Sequence, residues 1–284
     1  MNRRDFVTQS GWALAALLPG APLAAHRARR GAPSDRLERI GIQLYSLRDA
    51  MRQDFEGTLA RVGELGYAEV EFAGYFGRTP EQVRAALERA GLTAPATHLP
   101  YELLGEQWPN ALEAANRTGH GYLIVAWVPE AARRTLDDWK RVAERFNRAG
   151  QAATAAGLKF GFHNHDLELR PVEGRRPLDV LLEGTDPAHV VFEMDLYWVV
   201  RGGGDPLAYF GAHPGRFPLV HVKDSAGPPE HRMVDVGSGR IDFKAIFARR
   251  TQAGIRHAFV EHDQPADPFG FARNSLAYLK RLEF

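Results

Sequence analysis

One pattern repeats from Ile40 to the end of this chain: a short apolar run, an amphipathic stretch, then a turn marked by Gly or Pro. The apolar runs are Ile40 to Tyr45, Glu69 to Phe72, Ala94 to His98, Tyr122 to Trp127, Lys159 to His165, Val190 to Leu196, Leu219 to Lys223 and His257 to His262. They start roughly 25 to 40 residues apart, the size of one strand-helix unit. Between them, stretches such as Phe55 to Leu65, Pro80 to Ala90 and Leu136 to Ala156 carry apolar residues at three- and four-residue spacing, which predicts helices. Leu65-Gly66-Tyr67, Ala90-Gly91-Leu92, Ala156-Gly157-Leu158 and Ala253-Gly254-Ile255 each read as a glycine that ends a helix and an apolar residue that enters the next strand. Eight such units in about 245 residues predict an α/β fold, a (β/α)8 barrel, as a single domain over residues 39–284. A doubly wound open sheet is the alternative, but Gln43-Leu44-Tyr45-Ser46-Leu47 after the first strand is no glycine-rich phosphate loop.

The segment before the repeats has another character. Asn2-Arg3-Arg4-Asp5-Phe6-Val7 precedes an apolar run from Trp12 to Ala25, and together they resemble a twin-arginine export signal over residues 1–25, with cleavage expected after Leu23-Ala24-Ala25. Pro19 and Pro22 interrupt a run that is short for a membrane span, so no stable membrane insertion is expected once the signal is cleaved. A periplasmic or otherwise exported location follows. Residues 26–38 have linker composition, and disorder is expected over residues 26–36. Setting aside Arg3, Arg4 and Asp5 leaves 34 basic and 34 acidic residues from totals of 36 and 35. That balance, without a basic run after residue 30, argues against a nucleic-acid partner. The absence of cysteine excludes disulfides and thiolate ligands.

In a barrel of this kind the chemistry lies at the C-terminal ends of the strands. Polar residues gather there: Gln43, Glu71, His98, Trp127, His163 with His165, Glu193 with Asp195, His221 with Lys223, and Glu261 with His262 and Asp263. Alternate residues of a strand share a face, which pairs His163 with His165, Glu193 with Asp195 and His221 with Lys223, each pair about 7 Å apart. His163, Asp195, His221 and Glu261, from four successive strands, can converge on one cation. Mixed imidazole and carboxylate ligands suit Mn, Co, Fe or Zn better than Ca, while Mg prefers more oxygen. The neighbouring polar groups are placed for acid/base work on a bound substrate.

Glu193-Met194-Asp195-Leu196-Tyr197-Trp198, His221-Val222-Lys223-Asp224, Val236-Gly237-Ser238-Gly239-Arg240-Ile241-Asp242-Phe243 and Val260-Glu261, in that order, resemble the sugar phosphate isomerase/epimerase family, also called the xylose isomerase-like TIM barrels. The resemblance runs from about Ile40 to the end. It implies a divalent metal, manganese first among the choices, held by a carboxylate on strand five, an Asp on six, a His on seven and a Glu on eight. Asp195, His221 and Glu261 match the last three. Where many members have Glu-Pro-x-Asn, this chain has His163-Asn164-His165-Asp166, similar to a subgroup with His-Asn-His and an acidic residue three further on, here Glu168. The strand-five ligand is therefore His163, His165 or Glu168, in that order. Gln43, Glu71 and His98 match positions that face substrate, with hydrogen-bonded barrel lining as the other reading of all three, Glu71 above all. Trp198 and Arg232 join them as expected substrate contacts, and Lys223 or Arg232 can meet an anion.

The resemblance implies a metal-dependent sugar isomerase/epimerase working through an enediolate, with Glu261, His165, Glu193 and Lys223 as expected catalytic residues. Epimerases of the family use paired glutamates, one of which His163 replaces here; that leaves elimination from 3-keto-glycosides open. No cluster of Arg with glycine-rich backbone marks a phosphate site, so the expected substrate is a non-phosphorylated sugar or keto-sugar. A nuclease resembling endonuclease IV would need a basic face this chain lacks. A non-catalytic, metal-containing sugar-binding protein is a further alternative. Nothing in the sequence fixes the oligomeric state, and a homo-oligomer is compatible with it.

Overall fold

The structure, a computed structural model, describes residues 35–284. The expected export signal, and the expected linker up to residue 34, lie outside the described residues. At the linker's end, the Asp35 carbonyl accepts the Phe284 amide at 3.0 Å and Leu37 packs against the core.

Eight parallel strands close into a barrel: β1 (Gly41–Gln43), β2 (Glu69–Phe72), β3 (Thr93–Leu99), β4 (Tyr122–Val125), β5 (Lys159–His163), β6 (Val190–Asp195), β7 (Leu219–Val222) and β8 (His257–Val260). Each pairs with the next in sequence and β8 closes on β1, the (β/α)8 arrangement expected. Helices cover the outside, among them Phe55–Leu65, Pro80–Ala90, Trp108–Thr118 and Leu136–Ala155. Gly66, Gly91 and Gly254 end helices with φ of 95°, 66° and 86°, a backbone conformation glycine adopts without penalty. No described helix is long and apolar enough to cross a membrane.

Several strands stop two residues short of the expected ends. Past Gln43, the Tyr45 amide turns back to Gln43 Oε1 (3.0 Å); past His163, the His165 amide goes to Glu168 Oε2 (2.7 Å). Side chains take amides the ladder would have used, so the chain leaves the sheet there.

The barrel interior is layered. Ala96, Ile124, Leu219 and Phe259 form a compact apolar plug, distinct from the larger core between strands and helices. Two glycines make room for it: a Cβ on Gly41 would lie 2.4 Å from the Phe259 ring, and one on Gly161 would lie 2.8 Å from Ile124 Cδ1. Above the plug, towards the C-terminal ends, stand the buried polar residues Gln43, Glu71, His163, Glu193, Asp195, His221 and Glu261. Below it, Glu69 pairs with His257 Nδ1 (2.8 Å) and Arg39 Nε (2.8 Å). Burial opposes ionisation of Glu69, but hydrogen bonds from His257 and Arg39 hold its carboxyl below the ordinary 4.5. Its stabilising contribution is thus complete above that value and is lost as pH falls through the lowered one. Glu69→Gln is expected to lower stability at pH 7 by about 1 kcal/mol, the scale of a partly screened ion pair. Urea unfolding should show the difference closing as pH falls below the ordinary 4.5 and through the lowered value.

The glycine motif after β7 has a structural use. Asp224 accepts the amides of Ser225 (2.7 Å), Gly237 and Gly239 (2.9 Å each) and Ile241 (3.2 Å). A Cβ on Gly239 would sit 2.2 Å from Asp224 Oδ1. The Gly237-Ser238-Gly239 backbone therefore cradles the protein's own carboxylate, closing the loop that carries the two-stranded ribbon Asp224–Ser225 with Met233–Val234.

Candidate metal centre and active site

Strand register decides which polar residues meet. Asp195 lies beside His221, and His163 beside Glu193, so two storeys of ionisable groups stack on the plug. In the lower storey, Glu193 Oε2 receives His98 Nε2 at 2.7 Å, His163 Nδ1 at 3.1 Å and His221 Nε2 at 3.1 Å. Glu71 Oε2 receives His221 Nε2 at 2.6 Å and the Gln43 amide at 2.8 Å. Burial opposes ionisation of Glu193, but the His221 charge and the imidazole hydrogen bonds hold it well below the usual carboxylate range. The same carboxylates raise His221 well above its ordinary value against its burial, and raise His98 to about 10.

The upper storey differs in one respect. Asp195 Oδ2, His221 Nδ1 and Glu261 Oε2 lie within 4.8 Å of one another, all buried. None makes a hydrogen bond of acceptable geometry among the described residues, even though His221 Nδ1 and Glu261 Oε2 are 2.5 Å apart and the Lys223 ammonium lies 3.0 Å from Asp195 Oδ2 and 2.9 Å from Glu261 Oε2. Close ligand atoms without hydrogen-bond geometry are what a shared cation requires, since buried polar atoms are otherwise paired. In the other cluster of metal-ligand type, His98, His163, Glu193 and His221, two hydrogen bonds join His98 and His163 to Glu193 Oε2, and His221 Nε2 bonds Glu71, so each imidazole has a carboxylate partner while Glu193 Oε1 is left without one among the described residues. The residues present therefore fit a divalent cation at the upper position. His163 turns Nδ1 to Glu193 and brings Nε2 to 3.7 Å from Asp195 Oδ2, making it a fourth candidate ligand. Both histidines are backed by a carboxylate, the arrangement that fixes ring orientation in metal sites.

Local structure aims these atoms. Asp195 ends β6 and its Oδ1 caps the helix Leu196–Arg201 through the Trp198 amide (2.9 Å), leaving Oδ2 for the site. The Asn164 side-chain carbonyl accepts the Asp195 amide (3.1 Å), locking β5 to β6; the sequence placed Asn164 on the opposite face from the histidines but gave it no task. Burial pushes the Asp195 carboxyl up to about 6 despite Lys223 and His221. Glu261 is held well below its range, against burial, by Lys223 and His221. Lys223 Nζ is 3.0 Å from Asp195 Oδ2, 2.9 Å from Glu261 Oε2 and 2.7 Å from Asp263 Oδ1; these carboxylates keep the buried ammonium charged.

His165 stands beside this group, its ring 5.0 Å from that of His163. Its Nδ1 is buried with no hydrogen-bond partner among the described residues. Burial, then the Lys223 charge, lowers it to about 3, so the imidazole is neutral. Glu168, the third candidate for the strand-five ligand, turns away to the His165 amide, and burial raises its carboxyl to about 8.

Other expected contacts are displaced from the mouth. Gln43, Glu71 and Glu193 are fully buried beneath the imidazoles. Gln43 and Glu71 were expected to face substrate or to line the barrel through hydrogen bonds, and Glu193 to move a proton; Gln43 donates to Glu71, Glu71 accepts from His221, and Glu193 accepts from His98 and His163. His98 reaches the edge of the site with 14% of its side chain exposed. Trp198 lies alongside, its ring 5.7 Å from Lys223 Nζ. Arg232 is exposed and lines an outer cleft with Arg201, His262 and Asp263, outside the ligand group.

Residues 59–282 match the family model described as xylose isomerase-like TIM barrel. Curated relatives include an inosose dehydratase of Geobacillus kaustophilus, 26% identical over 79% of this chain and 86% of its own length. Another inosose dehydratase, from Clostridium beijerinckii, is 27% identical over 80% of this chain and 89% of its own. Among solved structures, a sugar phosphate isomerase/epimerase of Parabacteroides distasonis superposes with a TM-score of 0.76 at 30% identity, covering 90% of this chain and 97% of that one.

Proposed function

The chain belongs to the xylose isomerase-like TIM barrel family, and we propose that within it the protein is a divalent-metal-dependent enzyme that removes the proton beside the carbonyl of a non-phosphorylated keto-sugar and expels the oxygen substituent one carbon further on. The observation that carries this reading is the convergence of Asp195 Oδ2, His221 Nδ1 and Glu261 Oε2, buried and without hydrogen-bond partners, next to one neutral imidazole, His165. Held by these three atoms with His163 Nε2 as a fourth, a cation of the Mn, Co, Fe or Zn kind supplies Lewis acidity to a substrate carbonyl.

The chain's own residues do the rest. His165 Nδ1 reversibly takes the proton from the carbon beside the carbonyl, leaving an enolate, and in a second step its electron pair forms the new double bond as the neighbouring C–O bond breaks. The imidazolium returns its proton to the departing oxygen, which leaves as water or an alcohol. One group on one face serves both transfers. Returning a proton to the opposite face, as epimerisation requires, needs a second free acid, and Glu193 is enclosed beneath three histidines. Lys223 keeps Asp195 and Glu261 ionised and in place. The relatives named inosose dehydratase support elimination. A non-phosphorylated substrate is supported by the glycine loop, whose amides Asp224 already occupies.

The isomerase/epimerase reading is kept as the second, on the strength of the Parabacteroides distasonis neighbour. Incubating manganese-loaded protein with 3-keto-glucosides and an inosose in D2O separates the two. Elimination predicts solvent deuterium beside the carbonyl of recovered substrate and an unsaturated, ultraviolet-absorbing product. A rearranged or epimeric sugar without loss of water or alcohol would instead establish the second reading. A full metal complement with neither exchange nor product would overturn both.

A further inference from the structure

Of the four tryptophans among the described residues, Trp108 and Trp139 are buried, Trp198 is partly buried, and Trp127 is 50% exposed. Large exposed hydrophobic side chains are few among the described residues: Tyr45, Trp127 and Leu207. Two of the three stand at the C-terminal mouth of the barrel, Tyr45 just after β1 and Trp127 just after β4. An indole left half in water at that end is unexplained by packing.

Trp127 is also fixed in place. Arg133 lies over its ring at 4.6 Å, and Arg133 Nε is anchored on the Val128 carbonyl at 2.7 Å. Trp127 and His165 meet edge-on with ring centroids 5.6 Å apart, and His165 meets Trp198 at 5.7 Å. These rings form a wall that begins at His163 and runs outward to Trp127. The wall is not wholly apolar: Trp198 Nε1 and His165 Nδ1 are buried without hydrogen-bond partners among the described residues. A flat rigid aromatic face next to unspent polar groups is suited to a pyranose ring, whose C–H face stacks on indole while its hydroxyls take hydrogen bonds.

We propose that Trp127 is the platform of a second sugar subsite, so that the protein acts on a glycoside of two or more rings, the reacting ring lying over His163 and His165 and its neighbour stacking on Trp127. This rests on the keto-sugar reading above and names its substrate class. Binding alone tests it, so its failure is separable from a failure of the reaction. Saturation-transfer NMR with the intact wild-type chain should show transfer to both rings of cellobiose, with affinity well above that for glucose. Trp127→Ala should weaken cellobiose on the order of tenfold, the worth of one aromatic contact, and Trp127→Phe should restore much of it; circular dichroism checks that each folds. Once a substrate is in hand, Trp127→Ala should lower kcat/KM for a keto-disaccharide about tenfold more than for the keto-monosaccharide. Equal affinity of wild-type protein for glucose and cellobiose, or cellobiose binding unchanged by Trp127→Ala, would overturn the proposal. So would a loss of self-association in Trp127→Ala, which would assign the exposed ring to contact with a second copy of this chain.

Discussion

Glu261→Gln is expected to cost both metal and turnover. Glu261 Oε2 is one of three buried ligand atoms without hydrogen-bond partners. Replacing the carboxylate by an amide removes one negative charge from the site while leaving the side chain's shape. Changing a residue that merely supports a ligand costs metal affinity about 10- to 100-fold, so loss of a ligand itself should cost at least that. Turnover should fall by about three orders of magnitude even at saturating manganese, because several kcal/mol of carbonyl polarisation depend on the cation. The variant should still fold, since Lys223 keeps Asp195 and Asp263 as partners. Metal content after dialysis, together with the rate of solvent deuterium incorporation, checks both halves. Full metal retention with normal exchange would remove Glu261 from the ligand set.

His165→Gln is expected to divide those two properties. His165 neighbours His163, but its Nδ1 is not among the converging atoms, and its amide is tied to Glu168. Metal content should therefore stay at the wild-type level while deuterium exchange falls by about 10²- to 10⁴-fold, the range for loss of a positioned general base. KM should change much less than kcat, because the group acts on the proton in flight. Loss of the metal in this variant would instead make His165 the strand-five ligand.

The barrel was legible because its signals are local and repeated. Glycines 66, 91 and 254 end helices in the left-handed conformation their sequence context announces, and the apolar runs between them are the strands. The convergence of Asp195, His221 and Glu261 was legible for a related reason: each stands at or just past the end of a barrel strand, and closure brings strand ends together.

Height within the barrel was not legible. Glu193 and Asp195 share a face two residues apart, and only the pairing of His163 with Glu193 and of Asp195 with His221 shows that one is sunk beneath the histidines while the other reaches the site. The orientation of Glu168 depends on a 3-10 turn from Asp166 to Leu169 that returns its carboxylate to the His165 amide. The glycine motif near residue 238 was visible as a family feature, but its structural use, amides turned onto the Asp224 carboxylate, depends on the folded loop. Trp127 was visible as a strand-end residue, but its exposure and its clamp by Arg133 are properties of the folded surface.

The central claim is the position of the cation, and anomalous diffraction at the manganese edge tests it most directly, with crystals of the protein grown in manganese. The account predicts one strong peak bounded by Asp195 Oδ2, His221 Nδ1, Glu261 Oε2 and His163 Nε2. A peak in the lower storey, between His98, His163 and Glu193, or no peak from crystals that retain active protein, would contradict it.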